Sequence, residues 1–454
     1  MQKDMTSGKP LGLILRFCFP LVCGYMLQQL YSMVDTVIVG RYLGLEALAG
    51  VGATGAISFL VIGFATGICT GLSIPMAQAF GANDYSGMRR YMTNAYYIAA
   101  IVTMILTVIT LLETRQILHW MKTPEDIFNY SYNYIIVIFS GVGVSILYNL
   151  LAAMLRSVGD SKSPLLFLAI ASVLNIVLDL LFIIIFHMGV SGAGLATVLA
   201  QAISGILCFV YLYRRFPIMR PCRQEWKLEL LRCKRLISIG LPMALQFSIT
   251  AIGSIILQTS VNSLGTAAVT SVTAGQKISA ILTGPMEQMG ITMATYCGQN
   301  LGAGQYQRIQ NGIRVSLIAS MIYCISACLL LYVFGRNAAY LFIDASETEV
   351  IVLAVRYMRL NAVFYPTLGL LFILRNSLQG MGFSLMPMLG GVSELAARTI
   401  VCLVFVPIFG FSAVAVASPV AWIFADILLV FVYFWDMRRL KTKLMPCHGT
   451  ENVA

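Results

Sequence analysis

The sequence predicts an all-α integral membrane protein of about twelve transmembrane helices, arranged as two pseudo-symmetric six-helix lobes related by a parallel internal repeat. Three observations lead there. Apolar runs of about 20 residues, the length that crosses a bilayer, recur from one end of the chain to the other. Only 11% of the residues are charged, where a soluble domain has about 25%, so no soluble domain of useful size is left over. The second half then repeats the first in register. Gln78–Tyr85 (QAFGANDY) matches Gln299–Tyr306 (QNLGAGQY), Pro20 matches Pro242, Tyr134 matches Tyr357, Gly159 matches Gly382 and Pro164 matches Pro387, each pair about 221–223 positions apart. Six spans per half is an even number, so both halves enter from the same side and the repeat is parallel.

Taken in order, the spans are expected near 14–39, 51–79, 92–112, 129–152, 163–186, 192–213, 236–260, 271–297, 313–334, 350–374, 386–408 and 411–435. The first lobe covers 1–213, a basic linker 214–235, the second lobe 236–437 and a tail 438–454. No small-residue cleavage site ends the first apolar run, which reads as a span and not as a removed signal peptide. That stretch, Arg16–Gly44, carries Pro20, a proline at which the helix can bend, and Asp35. Gln28, Tyr31 and Asp35 share one helical face. An ionisable side chain at membrane depth costs about 2.5–3.5 kcal/mol on insertion scales, so this face is expected to point into a bundle or a wet cavity, with Asp35 binding an ion or a proton.

The net charge of +11 collects in a few loops. Arg89 and Arg90, Arg156 and Lys162, the linker with Arg214, Arg215, Arg220, Arg223 and Lys227, Arg308 and Arg314, and the tail from Arg438 alternate with neutral or acidic loops. The positive-inside rule accounts for this pattern better than nucleic-acid binding does. It predicts a multi-pass protein of the cell's inner (cytoplasmic) membrane with both termini and the linker in the cytoplasm, the linker lying on the anionic lipid surface as an amphipathic segment. Membrane lipid is thus an expected partner; nucleic acid is not, nor is an obligate protein partner, and a monomer is expected. The eleven Cys are scattered through apolar runs, and none of the three His stands at ligand spacing. No cofactor, metal-ligand set or nucleophile motif is present, so an enzyme is not expected.

The Pro20-to-Asp35 helix, VDTVIVGRYLG, QAFGANDY, RSVGDSKSP and NIVLD, in that order and at those spacings, resemble the multidrug and toxic compound extrusion (MATE) transporters over nearly the whole chain, with the bacterial MepA-like branch most similar. The resemblance implies a two-lobed secondary active antiporter that exports organic cations, small molecules driven out by proton or sodium exchange through alternating access. The alternative is a flippase for a lipid-linked oligosaccharide, of the same superfamily. Such flippases have a strongly cationic cavity, whereas the mid-span acids here outweigh the bases.

Topology and resemblance together pick out the ion-coupling candidates. Asn175 and Asp179 lie one turn apart in the fifth span, and Thr197 lies early in the sixth. With Asp35 they reach a similar depth in the outer half of the first lobe, and all four match the family's coupling residues. Two neighbouring carboxylates resist ionising together, which suits one of them to holding a proton. Asp35 and Asp179 could equally hold Na⁺, with Asn175 as a further ligand. The candidate substrate contacts are Gln28, Tyr31, Tyr148, Asn149 and Glu287, and Pro20 is the candidate hinge. The second lobe departs from part of the family. Its seventh and tenth spans hold Gln246, Gln258, Asn361 and Tyr365 but no acid, leaving Glu287 in the eighth. Glu394 and Arg398 are spaced to pair within one helix and read as structural, while Asp426 reads either way.

Overall fold

Proline and glycine punctuate an otherwise continuous series of apolar helices. The computed structural model describes residues 4–444, with side chains described to Leu440; the rest of the tail, including His448, lies outside them. The first half comprises α1 (Pro10–Leu43), α2 (Leu45–Ala53), α3 (Gly55–Gly81), α4 (Tyr85–Trp120), α5 (Glu125–Ser140), α6 (Val142–Ser157), α7 (Lys162–Leu180) and α8 (Gly189–Arg215). The second comprises α9 (Leu230–Asn262), α10 (Thr266–Gly302), α11 (Tyr306–Ala339), α12 (Thr348–Val363), α13 (Tyr365–Gly380), α14 (Leu385–Ile400), α15 (Val406–Phe409) and α16 (Phe411–Leu444). Among the described residues, nine helical stretches are long and apolar enough to span, and two bent pairs, α5 with α6 and α12 with α13, add one span each. At 37 residues, α10 is also long enough, and Gln276, Lys277, Glu287, Gln288, Gln299 and Asn300 lower its hydropathy. Each of the twelve expected spans therefore has its helix. The second starts late, at Gly55, because α2 ends at Ala53.

Two deviations occur in both halves. The fourth span bends by 48° at Gly141, and the tenth by 51° at Phe364. At Gly141 an added Cβ would lie 2.3 Å from Val198, so the close approach excludes a side chain. At the tenth span, Pro366 in the first turn of α13 has no N–H to give to the preceding helix. The fifth span of each half ends in a π-turn, Leu181–Ile185 after α7 and Val401–Phe405 after α14. The turn before each fifth span uses a glycine at positive φ, Gly159 (85°) and Gly382 (92°), which explains that sequence match. Asp160, one residue before the N-cap Ser161, accepts from Ser163 N in the first turn of α7 through Oδ1 at 3.0 Å.

Two compact units result. The first consists of Arg16–Met76 and Asp84–Ile255; the second of Asp4–Leu15, Ala77–Asn83 and the chain from Ile256 on. These cut the chain differently from the sequence repeat. The start of α1 belongs to the second unit, and α9 as far as Ile255 to the first. In the first unit, α3 and α9 pack on small residues: a Cβ on Gly71 would sit 2.5 Å from Gly240 Cα. In the second, the two copies of the repeated octapeptide lie together. A Cβ on Gly81 would meet Gln299 O at 1.9 Å, and one on Gly302 would meet Gln78 O at 1.8 Å. The same unit holds the chain's start, where buried Met5 donates to Gln299 Oε1 (3.0 Å) and accepts from Arg308 (3.2 Å).

The linker does not form one amphipathic helix. It makes two 3₁₀ turns, Pro217–Met219 and Arg223–Trp226, that dock on α4. Arg89 grips the buried Glu225 with two nitrogens at 2.7 and 2.8 Å, Thr93 donates to Glu225 O, and Tyr97 donates to Trp226 O. The Arg89 bonds first, then those that Cys222 N and Ser86 Oγ donate to the same carboxylate, hold the Glu225 carboxyl well below the usual range, at about 2.

Candidate ion-coupling site in the first unit

Three helices of the first unit bring the sequence-predicted ion group together. Asp35 comes from α1, Asn175 and Asp179 from the last two turns of α7, and Thr197 from α8. The apolar support is local. Ile38 and Val39 of α1, Ala47 of α2, Ile183 of the π-turn, and Val190 and Ala193 of α8 form one buried cluster, with Tyr134 of α5 and Ile176 of α7 against it. That cluster fixes the end of α1 that carries Asp35 to the end of α7 that carries Asp179. Further back, a Cβ on Gly24 would make ordinary contact, at 3.5 Å, with Leu165 and Leu168 of α7.

Asp179 is fully buried, Asn175 is 2% exposed, and Asp35 is half-buried. Asp35 and Asp179 lie within hydrogen-bonding reach of each other, yet two carboxylates have no hydrogen to share. Asp35 Oδ1, both Asp179 oxygens and Asn175 Oδ1 are buried with no donor among the described residues. The Asn175 amide is turned away, its Nδ2 donating to Thr197 Oγ1 at 3.4 Å. Thr197 thereby orients the amide so that its oxygen stays bare. Such an all-oxygen set calls for a proton or a hard cation, since leaving buried acceptors unmet is costly.

Tyr31 lies one turn before Asp35, within reach of Gln28 and facing Asp35. Tyr148 on α6 is half-buried and near Tyr31, with Gly205 of α8 against it. Asn149 is spent locally, donating to Ser145 O at 2.9 Å. Glu287 belongs to the second unit, half-buried on α10 and in no ion pair among the described residues. Pro20 is buried inside α1, which runs unbroken, a few residues after the helix passes from the second unit to the first.

Two features of the site were missed in the sequence. Tyr134, noted only as a repeat match, faces Asp35, Asp179 and Tyr31. The π-turn begins two residues after Asp179 and widens the helix there, a distortion common at functional positions. No residue type signals it in advance. The expected Glu394–Arg398 pair of the second unit forms at 3.1 Å, and Arg375 joins it from α13.

The chain matches the MatE family model twice, over residues 20–181 and 242–404, one match in each half. The probable multidrug resistance protein YpnP of Bacillus subtilis is 28% identical over 84% of this chain and 84% of its own. The multidrug export protein MepA of Staphylococcus haemolyticus is 21% identical over 94% of each. Among solved structures, the outward-facing conformation of a multidrug resistance MATE family transporter of the MOP superfamily superposes with a TM-score of 0.90, at 21% identity, over 96% of this chain and 98% of that one. At that identity it speaks for the fold.

Proposed function

The chain belongs to the MatE family, and from that premise we propose that it is a secondary active multidrug efflux antiporter that exports organic cations in exchange for protons or sodium by alternating access. The relatives named as multidrug resistance and export proteins support the efflux part. The observation that carries the coupling part is the set of bare oxygens on Asp35, Asn175 and Asp179. One proton shared by the two carboxyls meets two of them at once, and one Na⁺ ligated by both carboxylates and the amide meets all four.

Coupling follows from the charge on this group. With both carboxylates ionised, the first unit attracts a cationic cargo toward Asp35, Tyr31 and Gln28. Loading with H⁺ or Na⁺ removes that charge, so ion and cargo weaken each other's binding. Tyr148 adds an aromatic face to the cargo's path, and Glu287 is the acid through which the second unit meets dications. Asp35 lies about four turns beyond Pro20 in α1. A change in its partners can therefore swing the helix about the proline, which leaves one carbonyl without its backbone donor. In orientation, the basic linker and both termini face the cytoplasm.

The test is efflux of a fluorescent organic cation from liposomes under proton and sodium gradients imposed separately. Export should follow one gradient and not the other. Asp35→Asn and Asp179→Asn should each lose gradient-driven export while still binding the cation. Export by Asp35→Asn at the parental rate would remove these residues from coupling. Failure of the parent to move any organic cation would remove the cargo class.

A further inference from the structure

The second unit contains a group of buried charges that the coupling reading leaves unused. Arg375 of α13, Glu394 and Arg398 of α14, and Asp426 of α16 are each no more than 6% exposed. Glu394 takes both arginines, its Oε2 accepting from Arg375 Nη2 at 2.9 Å and its Oε1 from Arg398 Nη2 at 3.1 Å. Asp426 is left out. Both its oxygens are buried without a donor, although Arg375 and Glu394 face it. The Nε–H groups of Arg375 and Arg398 are equally bare. Unmet donors therefore share a buried cluster with an unmet acceptor. An ionised carboxylate without a donor is the state that burial penalises most.

We propose that Asp426 is a second proton-binding site of this protein, holding a proton while Glu394 keeps Arg375, and releasing it when Arg375 Nε–H turns to the Asp426 carboxylate. The step is a simple ionisation. The O–H bond at Asp426 breaks, water takes the proton, and the Arg375 Nε–H···Oδ hydrogen bond replaces it. The surrounding helices add nothing that competes. Tyr357 of α12 and Cys402 of the π-turn face Arg398, and among the described residues no charged group of α11 or α15 faces Asp426. The cluster thus has two arrangements that differ by one proton, and that proton biases how α13 and α16 are tied together. The proposal goes beyond the antiport reading, because it requires nothing of Asp35 or Asp179.

The measurement is infrared absorption of protonated carboxyls during a pH titration of the full-length protein in lipid nanodiscs. The starting protein carries Asp35→Asn and Asp179→Asn, so that the first unit's pair is silent. A carboxyl band that disappears with rising pH should remain in it and be lost on adding Asp426→Asn. Asp426→Glu should shift that band without abolishing it, which keeps the test open if the Asn variant fails to fold. Arg375→Lys, lacking Nε–H, should delay the loss of the band to higher pH by about one unit. A band untouched by Asp426→Asn, or unshifted in Asp426→Glu, overturns the proposal. So does a band that persists unchanged wherever the protein stays folded. Because the Asp35–Asp179 pair is absent throughout, failure here would leave the export reading standing, and export by Asp35→Asn at the parental rate, which overturns that reading, would leave this one standing.

Discussion

The two halves of the chain carry the same scaffold and opposite electrostatics. Each bends its fourth span and ends its fifth in a π-turn. The register that pairs Gly159 with Gly382 and Pro164 with Pro387 also pairs Asn175 with Arg398, and Asp179 with Cys402. Where the first unit has an amide and a carboxylate with bare oxygens, the second has a guanidinium anchored by Glu394, which also anchors Arg375. The two fifth spans share a frame and differ in their polar positions. Bare oxygens leave a site able to take up a cation; a carboxylate locked between two arginines does not.

Four changes would break or sharpen this contrast, the largest first. Asp179→Asn should reduce gradient-driven efflux to the level of empty liposomes while thermal unfolding in detergent moves by about 1 kcal/mol or less, because a neutral isostere removes a charge that had no partner. Glu394→Gln should do the reverse. It strands two buried guanidinium groups, and a loss of about 3–5 kcal/mol should show as a collapse in folded yield. If the two variants behave alike, the contrast between the halves is wrong. Glu225→Gln tests a structural acid inside the first unit. Releasing Arg89 should cost about 1.5–3 kcal/mol, read as faster hydrogen exchange in the linker with efflux retained. The pH dependence follows from the lowered folded value. The contribution of Glu225 is complete above its ordinary value of 4.5 and is lost as pH falls through about 2, so parental linker protection should fade across that window while Glu225→Gln stays flat. Tyr134→Phe should have the smallest effect. Removing a hydroxyl that faces both carboxylates should shift the pH profile of efflux and change the rate only a few-fold.

The fold was legible because its signals are one-dimensional. Apolar length marks a span, and a glycine that must adopt positive φ repeats at Gly159 and Gly382. The residues of the site were legible for the same reason, since Asn175 and Asp179 share a helix face and an acid in a span is conspicuous. What could not be read depends on which atoms meet. That Thr197 holds the Asn175 amide and leaves its oxygen bare is a matter of side-chain orientation. Tyr134 comes from a helix more than 40 residues away from Asp179. Arg375 reaches Glu394 from the preceding span, a pairing that the i,i+4 rule cannot foresee. That the linker's Glu225 and Glu229 pair with Arg89 and Arg90 of α4 and with Arg232 is likewise a matter of which side chains meet.

The way the compact units divide the chain bears on whether either half could stand by itself. A cut inside 214–235 would separate the two copies by sequence, but it would leave each fragment missing part of its own body. The first fragment would take away Asp4–Leu15 and Ala77–Asn83, which complete the second unit and include the Met5 backbone bonded to Gln299 and Arg308. The second fragment would take away α9 as far as Ile255, against which Gly67 and Gly71 of α3 close the first unit. Neither copy contains the whole of its own compact unit. Each half holds segments that complete the other half's compact unit.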